Sequence, residues 1–160
     1  MIMQGISLTP GSDHKKRLVV GVGNEYRRDD GIGIRLAERA SLPGADVLTV
    51  SGIYPELAET LSEYDMVVFV DAAVEGDPVK LSRIFPEESS LPLFHQITCG
   101  GILALTEVLY HTCPEAWLLA IRGYDFEHGE GLSEKAQENL SQALKSLEGL
   151  LAILMSRKND

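Results

Sequence analysis

Leu18-Val19-Val20-Gly21-Val22-Gly23-Asn24, followed by Asp29-Asp30-Gly31-Ile32-Gly33, is the stretch from which the fold can be read. Its first five residues carry no polar interruption, as suits a parallel strand covered by helices on both faces. The glycines at its end suit a tight turn or a close approach of backbones. Ile32, Leu36, Ala37 and Ala40 then recur at helical spacing, and an aspartate just before them is a good N-cap.

The pattern repeats along the chain. Ala45-Asp46-Val47-Leu48-Thr49-Val50 reads as a second strand, and Tyr54-Pro55-Glu56 opens a second helix with Pro at its first position and Leu57 and Leu61 on one face. Met66-Val67-Val68-Phe69-Val70-Asp71 is a β-branched, buried strand ending on a carboxylate. Val79-Lys80-Leu81-Ser82-Arg83-Ile84-Phe85 alternates apolar and polar residues, which predicts a half-exposed edge or antiparallel strand. After a Pro- and Ser-rich loop over 86–94, a helix carrying Leu105, Val108 and Leu109 leads to the strand Ala116–Ile121. A loop from Gly123 to Leu132 precedes a long helix that Ser133 caps, with leucines at 140, 144, 147, 151 and 154 in one stripe. Strands alternating with helices predict a three-layer α/β/α sandwich around a mostly parallel twisted sheet of about five strands. Residues 17–160 are expected to form that single α/β domain, and residues 1–16 a flexible N-terminal extension.

Composition narrows the function. Twenty-four acidic against 14 basic residues give a net charge of −10, which argues against a phosphate-binding surface and hence against nucleic acid. The one basic cluster, Lys15-Lys16-Arg17, reads as a solvated flank of the first strand. No apolar run is long enough to span a bilayer and residues 1–16 lack the apolar region of a signal peptide, so a cytoplasmic protein without membrane attachment is expected. Cys99 and Cys113, with no C-x-x-C, are expected to be reduced structural thiols.

In open α/β sheets, ligands bind beyond the carboxyl ends of the strands. Three places there carry polar groups: the loop from Gly23-Asn24 to Asp29-Asp30, Asp71 at the end of the third strand, and His95 before a helix. Two carboxylates and an imidazole converging on one edge would suit a borderline divalent ion such as nickel, zinc or cobalt. The plainer alternative for Asp30 is helix capping, and for His95 an ordinary surface residue. Asp71 needs a partner, a cleft or a function, because it ends an apolar strand. Tyr26 stands where G-x-G-x-x-G requires glycine, and neither a phosphate loop nor a G-x-S-x-G elbow is present.

Gly21-Val22-Gly23-Asn24 with Asp29-Asp30-Gly31-Ile32-Gly33 closely resembles the N-terminal signature of the hydrogenase maturation protease family. Pro55-Glu56-Leu57-Ala58, Val70-Asp71-Ala72, His95 and Phe126-Glu127-His128-Gly129-Glu130-Gly131-Leu132-Ser133 match it in order, so the resemblance covers roughly residues 17–155. It implies an endopeptidase that recognises nickel in the precursor large subunit of a [NiFe]-hydrogenase and removes its C-terminal extension as the last step of maturation. It further implies Asp30, Asp71 and His95 as metal ligands and catalytic-site residues. Family members commonly have Glu at the first of these positions, and Asp30 is one methylene shorter. Gly23, Asn24 and Asp29 are the candidate substrate contacts, with the Gly23-Asn24 turn offering backbone donors to the peptide. The second helix and the 126–133 segment look most like proteases serving soluble bidirectional NAD(P)-linked hydrogenases. Nickel is expected to arrive with the substrate, and the protease to act as a monomer. The rival readings are a metal-dependent chaperone that binds the large subunit without cutting it, and a small-molecule hydrolase of similar topology.

Overall fold

The computed structural model describes residues 15–87 and 97–157. Five strands, β1 (Arg17–Val22), β2 (Asp46–Val50), β3 (Met66–Ala73), β4 (Val79–Ile84) and β5 (Glu115–Arg122), form one sheet in the order β2-β1-β3-β5-β4. The first four in that order are mutually parallel, and β4 closes the far edge antiparallel to β5. The alternation read in Val79–Phe85 therefore does mark an antiparallel edge strand. The four helices of the described chain are α1 (Ile32–Arg39), α2 (Leu57–Leu61), α3 (Cys99–Tyr110) and α4 (Glu134–Ser156).

Both faces of the sheet are covered, which is why residues 18–22 of β1 and 66–70 of β3 are apolar and buried. On one face Val19, Val68, Val70, Leu119 and Ile121 pack against Ile32 and Leu36 of α1 and the leucine stripe of α4. On the other, Leu18, Val20, Val67 and Phe69 pack against α2 and α3 through Leu57, Leu61, Ile102 and Leu103. Neighbouring residues of a strand thus serve opposite layers. The hydroxyl of Ser133 accepts a hydrogen bond from the Ala136 N–H, capping α4 as its sequence predicts.

Two local expectations are corrected. Asp30 does not cap α1: residues Arg28–Gly31 form a 3-10 turn, the cap position falls on Gly31, and no side chain bonds the helix end. Pro55 stands in a turn ahead of α2, where its carbonyl accepts from the Ala58 N–H, so the helix proper starts at Leu57. The helix carrying Leu105, Val108 and Leu109 is α3, which is buried through its first two turns and leaves Val108 and Leu109 exposed. Lys15 and Lys16 are the only residues of the expected 1–16 extension among those described. Lys16 is tied to the fold through the Asp65 carboxylate at 2.8 Å.

Gly33 fixes how closely α1 lies on the sheet. A Cβ there would collide with the carbonyl oxygens of Val70 and Val22, at the carboxyl ends of β3 and β1. Gly33→Ala is expected to destabilise the protein by about 2–3 kcal/mol, since backbone rather than a flexible side chain has to move. Urea unfolding of the variant measures this, and a loss below about 0.5 kcal/mol would show that α1 can lift freely.

Candidate active site

The connection leaving β1 passes to α1 on one face of the sheet, whereas the helix that follows β3 and β4 packs on the other. Between the carboxyl ends of β1 and β3 the chain therefore diverges to opposite faces, which opens a crevice at the place where α/β sheets bind ligands. The β1 side of this crevice is the turn Gly23-Asn24 with the 3-10 turn behind it. The β3 side is Asp71.

Gly23 has φ +152°, and a Cβ at this position would collide with the Asp30 carbonyl. The missing side chain lets the 3-10 turn fold back onto the end of β1. Asp30 is thereby brought over the turn, where its carboxylate accepts from the Asn24 N–H at 3.0 Å. The Gly23 N–H donates to the Val50 carbonyl at 3.1 Å, prolonging the ladder between β1 and β2. Both backbone donors of the Gly23-Asn24 turn thus have acceptors within the chain, Val50 and Asp30, although Asn24 itself is exposed.

Asp29 has a different place from its neighbour. It is fully buried, and its carboxylate accepts from the backbone N–H groups of Tyr124, Asp125 and Ser133 and from the Ser133 hydroxyl, at 2.7–2.9 Å. Burial works to raise its pKa, but the bonds from Ser133, Tyr124 and Asp125 outweigh it and hold the carboxyl below its ordinary value. Asp29 is thus an internal anchor rather than the substrate contact expected of it. It ties the turn carrying Asp30 to the loop before α4. Backbone bonds from Arg28 to Gly129 and from Gly129 to Tyr26, and a 3.2 Å ion pair between Arg28 and Asp125, reinforce that tie.

Asp71 lies partly buried at the end of β3, with Oδ1 accepting from the Ala72 N–H at 2.8 Å. Burial pushes its carboxyl up to about 6; the Ala72 bond works against this, and the negative charge of Asp30 adds to it. The 3-10 turn that carries Asp30 lies against β3, which puts its charge within reach of Asp71. Asp30 and Asp71 thus share one edge of the sheet; His95 lies outside the described residues.

Cys99, at the start of α3, adjoins the same site. Burial first, then the charges of Asp71 and Glu87, push its thiol up to about 12, so at neutral pH it is a protonated, poorly nucleophilic group. Glu87 itself sits against Gly100, close enough that a Cβ there would meet its side chain at 2.5 Å. The proximity of Glu87 to this edge escaped sequence reading, because residue 87 follows an edge strand far from β3 in the chain. In the sequence Cys99 reads only as a reduced structural thiol, with no sign that it lies near Asp71.

Among the described residues, no three His, Cys, Asp or Glu side chains are close enough together to hold a metal ion by themselves.

With sheet order, crevice and carboxylate pair established, the similarity to solved structures has a definite meaning. The chain resembles the hydrogenase maturating endopeptidase HybD from Escherichia coli with a TM-score of 0.69 and 21% identity, over 86% of this chain and 92% of that one. It shares the fold of the hydrogenase maturation proteases. A [NiFe] hydrogenase maturation protease HybD from Thermococcus kodakarensis gives a TM-score of 0.66 at 24% identity, covering 85% and 99% of the two chains. The protease HycI from the same archaeon gives 0.64 at 20%, covering 88% and 95%. No protein-family model and no curated protein sequence matches the chain.

Proposed function

We propose that this chain is an endopeptidase that removes the C-terminal extension from the precursor large subunit of a [NiFe]-hydrogenase, and that it recognises nickel already held by that precursor. The observation that carries the reading is the fold shared with proteins named as maturation endopeptidases, with Asp30 and Asp71 on the same edge of its sheet.

The nickel is part of the substrate. An ion carried by thiolates of the precursor would find hard oxygen donors in Asp30 and Asp71, with His95 as the nitrogen donor that the resemblance implies; this mixed set suits a borderline ion. Such docking makes recognition a test of maturity, since a precursor without nickel offers the carboxylates nothing to bind. For the cleavage step, Asp71 is the group suited to take a proton from water. A carboxyl raised to about 6 is a stronger base than an ordinary one and is still mostly ionised at neutral pH. Water attacks the scissile carbonyl, Asp71 receives its proton, and the leaving amine recovers a proton as the C–N bond breaks. Cys99, protonated and half-buried, takes no part as a nucleophile.

We place this activity in the cytoplasm and in a monomer. No helix of the described chain is long and apolar enough to cross a membrane. The 126–133 segment relates the chain most to proteases of soluble bidirectional hydrogenases.

Mass spectrometry of the precursor large subunit after incubation with this protein, with and without prior nickel insertion, tests the reading. The expected result is loss of a C-terminal peptide from the nickel-loaded form alone. Stable association without loss of mass would make the protein a chaperone and overturn the protease reading, and equal cleavage of both forms would remove nickel from recognition.

A further inference from the structure

Resting on that reading, we infer that the outer edge of β2 and the groove beside it bind an extended, positively charged segment of the precursor's C-terminal tail as an added sixth strand.

The sheet ends at β2, and among the described residues no strand pairs with its outer side. The Val50 carbonyl accepts from Gly23, so Val50 and, by alternation, Leu48 and Asp46 turn their backbone groups inward to β1. Val47 and Thr49, both exposed, therefore turn their N–H and C=O groups outward. Such a row is the template on which β-augmentation is built.

A groove of about 510 Å³ lies along the same edge, between β2 and α2. Its apolar lining comes from Leu48 and Val50 of β2 with Tyr54 and Leu57. Alternate side chains of an added strand would fall on that apolar lining. The groove wall carries Glu56 and Glu59 and no basic residue, on a protein of net charge −10, so the matching segment carries Lys or Arg.

The groove leads to the candidate active site. Its far end, at Val50 and Ser51, adjoins Gly23, the first residue of the turn that holds Asp30. An added strand would lie three strand spacings from β3, about 14 Å, which four or five extended residues cross. The tail is thus gripped a few residues away from the bond that is cut, and the grip contributes to binding without touching the reacting atoms.

Two measurements test this. In the wild-type protein, addition of a synthetic peptide of the tail should slow amide hydrogen exchange at Val47 and Thr49 at least tenfold. In cleavage assays on the nickel-loaded precursor, the exposed double variant Glu56→Lys/Glu59→Lys should raise KM about tenfold or more with kcat unchanged. If the wild type cuts the precursor while KM and both amides are unaffected, the groove assignment falls and the protease reading stands. No cutting together with unprotected amides would overturn both. Slowed exchange that depends on protein concentration without peptide would show that the edge pairs with a second copy of this chain, against the inference.

Discussion

Asp71→Asn is expected to lower cleavage of the nickel-loaded precursor by about two to four orders of magnitude, the range for losing a general base, and at the same time to make the protein more stable at pH 7.5. On the proposed function, the catalytic loss follows from replacing the carboxylate that would accept the proton from water. The gain in stability follows from burial. The carboxyl of Asp71 is raised from an ordinary 3.8 to about 6, so the native protein holds this proton more tightly than the unfolded chain does. Its contribution to stability is complete below about pH 4 and is lost as pH rises through 6. At pH 7.5 the ionised group therefore costs up to about 3 kcal/mol, since each tenfold change in proton affinity is worth about 1.36 kcal/mol. Asparagine preserves the shape and an oxygen to accept from Ala72, and it removes the charge. Urea unfolding from pH 4 to 8 should show the wild type losing stability relative to the variant between pH 4 and 6. Cleavage at the wild-type rate would remove Asp71 from the mechanism; parallel stability curves would show that its charge is well solvated.

Asp29→Ala has the largest expected effect on folding, a loss of about 3–5 kcal/mol, as for removing one member of a buried charged network. Three backbone N–H groups and one hydroxyl lose their acceptor, and methyl cannot replace it. The sign with pH is opposite to that of Asp71. The carboxyl of Asp29 is held below 3.8, so its contribution is present above that value and is lost as pH falls through the lowered one. Asp29→Asn, which keeps one acceptor oxygen, should lose less than Asp29→Ala, and neither should show the wild type's loss of stability into acid that stems from this group. Thermal unfolding of the three proteins checks the order; an alanine variant within about 1 kcal/mol of wild type would mean that the loop before α4 holds without its anchor.

The pair Asp29-Asp30 shows where sequence reading stops. Two consecutive carboxylates before a helix both read as caps or site residues, because local spacing carries no information on which side chain turns inward. In the folded chain one residue is sealed beneath the 124–133 loop and its neighbour stands over the crevice. The nearest signal was Ser133, recognisable as the cap of α4; that its hydroxyl and N–H also bond Asp29, 104 residues away, is a fact of tertiary structure. The Gly23-Asn24 turn behaves in the same way. Its glycine was read correctly as permitting close approach, but the partners that take its N–H groups, Val50 and Asp30, are set by sheet pairing and by the 3-10 turn.

By itself, the sequence determined the order and type of the elements, the parallel sheet with an antiparallel edge, the cap of α4 and the placing of Asp71 at a strand end. These follow from hydrophobic periodicity, glycine and capping preferences, which act over a few residues. Only the tertiary structure decided that Asp30 and Asp71 share one edge of the sheet, that Asp29 is an anchor, and that among the described residues no strand pairs with the outer side of β2 beside an acidic groove. Those depend on strand order and on contacts between residues far apart in the chain, whose energies of burial and pairing exist only once the sheet has assembled.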